Sequence, residues 1–337
     1  MAEIIEKPKS LSDTAKDIAR RFLRHENAIL IIILAALIAG ISALSHGLTT
    51  SRVNMMNILL QSSTRGVAAI GQAFVILTAG IDVSVGGAGL MCSVLGASLM
   101  TTDLENNIIG YPASMYVAIP LMLLAGLGWG AINGSSVSRI GMPPLIVTLA
   151  MWQITSGVAF RICEGRSVEH LSGSFAFFGQ SIIAGVPVPV IIFISVAVVA
   201  YFVLNHTTFG KAVYAVGGNP VSAWLSGIKV RNIIMSVYVI SGFLAGLAGV
   251  IFASRTMSAS MNSLLGLELD CIGATVVGGI SLMGGRGSLI GVIIGVIIIG
   301  VINNAMSVLG VSPAWMGIAK GAIIFSAVAI DTIRRRG

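Results

Sequence analysis

The sequence predicts an all-α polytopic membrane protein of about ten transmembrane helices, some broken or re-entrant, with a possible internal repeat. Three observations carry this. Of 337 residues, 55% are hydrophobic and only 10% are charged, where a soluble domain averages about 25% charged. Runs such as AILIIILAALIAGISAL (Ala28 to Leu44) and LIGVIIGVIIIGVI (Leu289 to Ile302) hold no charge, and roughly 20 apolar residues cross ~30 Å of hydrocarbon. The 41 glycines fit helices that pack closely where apolar burial gives no drive between them.

The apolar runs place spans near 28–47, 54–79, 84–101, 113–138, 143–160, 188–205, 232–253, 267–282, 288–308 and 312–330. The first run is longer than the ~7–15-residue core of a secretory signal, so a retained first span is expected despite the small residues of ISALSHG. Segment 267–282 is short and opens with Glu268 and Asp270, which makes it the candidate for re-entry. GFLAGLAG (Gly242 to Gly249) and GVIIGVIIIG (Gly291 to Gly300) place small residues at helix-packing spacing.

Charge sets the expected orientation. With a cytoplasmic N-terminus, 14 of the 20 Lys and Arg fall in inner segments, 4 in outer segments and 2, Arg65 and Lys320, within spans. This asymmetry puts both termini in the cytoplasm. It also accounts for the net charge of +7 through anionic membrane lipid, without nucleic acid. The expected divisions are a cytoplasmic segment 1–27, a membrane domain 28–332 containing a cytoplasmic loop 206–231, and a basic tail 333–337.

That loop holds TTFGKAVYAVGGNPVSAWLSGIKV, residues 207–230. Asn219 before Pro220 reads as a helix start, because Asn accepts from free N–H groups and Pro suits the first turn. Gly227 suits the stop. The helix between them has about two turns, too few to be stable alone. Val221, Trp224 and Leu225 give it one apolar face at i, i+3, i+4. Such a face packs on lipid, on the protein's own spans or on a partner, with Trp224 as an interface anchor.

This stretch resembles the cytoplasmic loop of the permease subunits of ribose-type ABC importers, whose pattern is T-x-(F/L)-G-(R/K)-x-x-Y-A-x-G-G-N-x-x-A-A-x-x-S-G-I. The matching residues include Thr208, Phe209, Gly210, Lys211, Tyr214, Ala215, Gly217, Gly218, Asn219, Ala223, Ser226, Gly227 and Ile228, while Ser222 stands where the family often has Ala. TAGIDVSVGG (Thr78 to Gly87), LELDCIGATVVGGISLMGGRGSLIGVIIG (Leu267 to Gly295) and INNAMSVLGVSPAW (Ile302 to Trp315) resemble further family stretches. The resemblance covers about residues 50–332. It implies a bacterial inner-membrane importer subunit for a sugar or similar polar solute, with no cofactor of its own. It further implies a second permease copy or paralogue, a periplasmic solute-binding protein, and an ATPase partner with tandem nucleotide domains that uses ATP and Mg. The 219–227 helix would couple to that ATPase.

The remaining candidates are polar groups in apolar surroundings. Asp82 in GIDVSVGG can cap the helix that follows, with Ser84 in its first turn, or can contact solute or gate the path. Arg65 is expected to pair with Glu268 or Asp270, or to meet an anionic group on the solute. Lys320 is expected to reach an interface or pair with Asp331. Glu268 and Asp270 are expected at the outer mouth, as caps or as contacts for a delivering protein. Gln61, Thr148, Gln153, Asn303 and Asn304 either line a hydrophilic path or bond between helices.

Residues 79–96 align without gaps on 278–295, mostly through glycines. The span count makes this a parallel repeat, unless 267–282 is re-entrant. No phosphate-binding loop is present, since Gly210-Lys211 is followed by Ala212. The cysteines Cys92, Cys163 and Cys271 and the histidines His25, His46, His170 and His206 are dispersed, with Cys163 in an expected loop. No metal or catalytic set is read from them. The alternatives are an ion-coupled secondary transporter using Asp82 and Asp270 as relays, a permease for amino acids or nucleosides, and an intramembrane enzyme, which the missing nucleophile–base set disfavours.

Overall fold

The structure, a computed structural model, describes residues 27–334. The expected N-terminal segment up to residue 26 and the tail from residue 335 lie outside the described residues. Helices follow the apolar runs closely: α1 Ala28–Leu44, α2 Arg52–Leu77, α3 Ser84–Met100, α4 Met115–Ser135, α5 Pro144–Cys163, the one-turn α6 Phe177–Gln180, α7 Val188–His206, α8 Thr208–Gly218, α9 Pro220–Leu225, α10 Val230–Thr256, α11 Leu267–Val277, α12 Leu289–Val308 and α13 Pro313–Arg334. Among the described residues five stretches, Met115–Ile140, α5, α7, α10 and α12, are long and apolar enough to cross a membrane. The chain is a polytopic helical membrane protein, as the sequence predicts. Segment 267–282 resolves into an 11-residue helix followed by a turn. At 1.5 Å per residue that is about 17 Å, half a bilayer.

Helix α10 runs through the middle of the body and packs on α2, α3 and α4. Its glycines make this possible. A Cβ on Gly242 would collide with the Gly126 carbonyl of α4, and one on Gly130 with the Tyr238 carbonyl. Small residues meet again where Gly291 and Gly295 of α12 lie against Gly278 and Ala274 of α11. Both glycine-rich runs therefore serve close helix packing, as the spacing predicts. Two apolar cores result: one around α2, α7, α10, α11 and α12, the other around α3, α4, α5 and the loops beyond them. Cys163 closes α5 and is buried, not in a loop.

On the side away from the 206–231 loop, short bridges tie the connections together. Thr101 pairs with Leu171 and Val168 with Ala259, and Ile182–Ile183 forms a two-residue ribbon with Val186–Pro187.

Candidate functional site

Two helix breaks face each other on the side of the 206–231 loop. Helix α2 ends at Leu77 with Ala79 left-handed (φ 61°), and α11 ends at Val277 with Gly279 left-handed (φ 88°). The closures match. Gly80 N–H donates to the Val75 carbonyl and Ile280 N–H to the Thr275 carbonyl, both at 3.1 Å. This is the six-to-one bond of a Schellman ending. The equivalence pairs Ala79 with Gly279, one residue away from the gap-free alignment, so the glycine identities of that alignment do not mark matching positions. The breaks touch directly, because Gly285 N–H donates to the Leu77 carbonyl at 2.9 Å. They therefore lie on the same side, as the span count predicted.

The carboxylate of Asp82 organises the first break. It accepts from the Ser84 N–H (3.0 Å), the Ser84 hydroxyl (2.5 Å) and the Ser241 hydroxyl of α10 (2.8 Å). The Ser84 N–H bond supplies the expected help to the start of α3, and the Ser241 bond adds a tie to α10. Asn133 of α4 donates to Ser84 Oγ at 2.7 Å. Gln72, in the amide orientation that satisfies both groups, donates to the Asp82 carbonyl (2.9 Å) and accepts from its N–H (3.2 Å). Asn133, Gln72 and Ser241 escape a sequence reading because nothing local marks them.

The loop element abuts these breaks. Thr207 accepts from Gly210 N–H to start α8, and a Cβ on Gly210 would meet the Leu204 carbonyl, so α7 and α8 turn sharply there. Tyr214 Oη donates to the Gly287 carbonyl at 3.1 Å. At Gly217 a Cβ would collide with the Leu77 carbonyl and crowd the Gly285 N–H. The end of α8 is thus wedged against both breaks, backbone to backbone. Asn219 Oδ1 then accepts from the Val221 and Ser222 N–H groups, both at 3.0 Å, and starts α9. Ser226 donates back to the Ser222 carbonyl at 2.9 Å, and Gly227 ends the helix at φ 85°. Only Ala223 of α9 is buried. Val221, Trp224 and Leu225 are 65–73% exposed, so the apolar face predicted from the sequence packs on nothing within the described residues. Pro220, Val221, Trp224 and Arg231 border a cleft of 810 Å³. Lys211 is exposed on α8, and Gly218 has open space where its Cβ would stand.

A second polar centre joins four helices. Asp270 of α11 pairs with Arg65 Nε of α2 and Lys320 Nζ of α13, each at 2.9 Å, and Asn303 of α12 donates to it at 3.4 Å. The internal pairing expected for Arg65 forms. Lys320 meets Asp270; the Asp331 side chain, its other expected partner, lies outside the described side chains. Glu268 and Asp270 are buried, 9% and 5% exposed, rather than opening on an outer mouth. The reason is that α11 begins inside the body, where Glu268 lies over Gly86 in the first turn of α3.

The uncharged candidates divide. Asn304 and Asn54 form a reciprocal amide pair at 2.8 and 2.9 Å. Thr148 donates to the Pro144 (3.0 Å) and Ile81 (3.2 Å) carbonyls. These groups bond within and between helices. Gln153 is exposed and Gln61 half-buried, without hydrogen-bond partners among the described residues.

The family described as branched-chain amino acid transport system / permease component matches residues 54–328. The chain belongs to this permease family. The matched span opens early in α2 and closes in α13, so it takes in both breaks, the loop element and the Asp270 centre. Among curated relatives, the ribose import permease protein of Haemophilus influenzae is 36% identical over 318 residues, covering 93% of this chain and 94% of the relative. The Escherichia coli K12 ribose import permease protein is 38% identical over 305 residues, 89% and 92% of the two chains. The D-allose transport system permease protein of the same strain is 36% identical over 301 residues, 89% and 90%. No solved structure matches the chain at a significant level.

Proposed function

We infer that this permease is the transmembrane subunit of an ATP-binding-cassette importer that carries a sugar into the cytoplasm across the bacterial inner membrane. One observation carries the reading: a capped two-turn helix with a bare apolar face sits on the element whose end is wedged against both helix breaks. A helix so short is stable only when packed on something. A partner ATPase, docked through Val221, Trp224 and Leu225 beside the 810 Å³ cleft, supplies that packing. The partner holds the ATP and Mg; this chain contributes none of the chemistry.

Mechanically, displacement of α9 pulls on α8 and α10 together. Gly217 transmits it to Leu77 and Gly285 through backbone contacts, which have no side-chain rotamers to absorb motion. Ser241 transmits it to Asp82. The breaks then move against one another and change access to the path. A periplasmic binding protein delivers the sugar, and a second permease copy completes the pathway. Cargo assignment rests on the sugar names of the relatives. Against ion coupling, Asp82 has three donors and Asp270 two cations, so neither offers the free carboxylate of a relay.

The test uses Trp224→Cys and Leu225→Cys in the full chain, co-expressed with the ATPase and binding protein of its own operon. Both cysteines should crosslink to the ATPase, and membrane vesicles should concentrate a labelled pentose or hexose on ATP after the ion gradients are collapsed. Crosslinks confined to lipid or to this chain, or uptake abolished by the ionophore, would overturn the reading.

A further inference from the structure

Beside the first turn of α3 lies a cavity of 210 Å³, lined by Gly86, Trp152, Ser156, Met261, Ser263 and Glu268, among others. Its depth follows from α3. Gly86 is the third residue of that helix, and the remaining 14 residues to Met100 rise about 21 Å further. One wall is the non-helical stretch 257–266, with Met257, Leu264 and Gly266 all left-handed. Irregular backbone at membrane depth is tolerated only where it is covered by protein or lines a polar cavity. This stretch descends from the Val168–Ala259 bridge to Glu268, into the body.

The side-chain polar groups of the cavity keep open hydrogen-bonding capacity. Glu268 is nine-tenths buried, and its Oε2 has no hydrogen-bond partner among the described residues. Arg65 and Lys320 make their ion pairs with Asp270, and neither closes a hydrogen bond on Glu268 Oε2. Ser156 has no hydrogen bond among the described residues. Ser263 Oγ accepts from Ser260 N–H at 2.9 Å and keeps its own proton to donate. Buried polar groups are nearly always paired, so a carboxylate and two hydroxyls left open in one cavity mark a place for an occupant. Trp152, Met261 and the leucines supply apolar surface, the usual make-up of a small-molecule site with a few placed polar groups.

We propose that this cavity is a solute subsite for an uncharged polyhydroxylated molecule, a monosaccharide, held by hydroxyl donation to Glu268, with Ser156 and Ser263 as further partners and Trp152 against its C–H face. The reading rests on the importer assignment and sharpens it. Among the described residues the lining holds no Lys or Arg, so nothing in the cavity neutralises a buried anion, and sugar phosphates and sugar acids are disfavoured; the subsite selects charge state as well as size.

The three native cysteines are buried, so Ser156→Cys gives this chain one reachable thiol, and its labelling is read on this chain after separation from the other subunits of the reconstituted complex. Its labelling by a water-soluble maleimide is measured with and without D-ribose. Labelling should slow about tenfold at ten times the half-protecting ribose concentration, by simple occupancy, and ribose 5-phosphate should not protect. Adding Glu268→Gln should abolish protection, read as the ratio of labelling rates with and without D-ribose in that same variant. Equal protection by the phosphate, no protection by ribose, an unreachable thiol, or full protection in Glu268→Gln would each overturn the subsite. The subsite fails alone if wild-type vesicles still import sugar on ATP; if wild-type vesicles import none, the importer reading itself has failed.

Discussion

Asp270 should be among the most sensitive single positions in the membrane body. Its carboxylate faces two cations at 2.9 Å and the Asn303 amide at 3.4 Å. Asp270→Asn keeps the shape and removes the charge, which leaves Arg65 and Lys320 without their shared anion. Removing one partner of a buried pair costs about 3–5 kcal/mol. The Arg65 and Lys320 side chains retain 25% and 27% exposure, so water screens part of the loss and about 3 kcal/mol is the working figure. For a chain of this length that lowers the melting midpoint by roughly 4 °C. Thermal denaturation of the detergent-purified chain, followed by fluorescence gel filtration, reads it. The sharper arm is the triple variant Asp270→Asn, Arg65→Gln, Lys320→Gln. Replacing a whole buried ion cluster is often close to neutral, so the triple should recover more than half of the loss. Neighbouring substitutions of this kind do not add. A midpoint within about 1 °C of wild type for Asp270→Asn, or a triple as damaged as the summed singles, would refute the argument.

Two further predictions concern the breaks. Gly217→Val puts a branched side chain where even a Cβ strikes the Leu77 carbonyl, an overpacking cost of about 1–3 kcal/mol. ATP-driven uptake should fall roughly tenfold, the effect of about 1.4 kcal/mol of that cost falling on the wedged conformation that couples α8 to the breaks. The adjacent Gly218→Ala meets open space and should transport normally; equal effects at the two positions would contradict the wedge. Asp82→Asn retains an oxygen for the Ser84 N–H, and the Ser241 hydroxyl can turn to accept from the new amide. It should cost about 1–2 kcal/mol, the scale of one weakened hydrogen bond, with uptake preserved. Loss of uptake in a well-folded Asp82→Asn protein would make Asp82 a pathway residue rather than a structural tie.

Much of the fold is local, and the sequence carries it by itself. Apolar runs locate the helices to within a few residues because the bilayer sets their length. Asn219 and Gly227 delimit α9 because capping involves only the next two or three N–H groups and one left-handed residue. The shortness of 267–282 and its opening Glu268 and Asp270 already made it the candidate for re-entry. Only the tertiary structure decided which charges meet. Ser241 lies 159 residues from Asp82 and Lys320 50 residues from Asp270, and such pairings depend on how the helices are stacked, not on any periodicity. The same holds for Glu268. Its position at the head of α11 suggested a mouth, but α11 begins inside the body, and that depth is set by the turn-rich stretch before it packing under α3. Gly217 shows both levels at once: the sequence marks a glycine, and only the juxtaposed backbones of Leu77 and Gly285 explain why no side chain fits there.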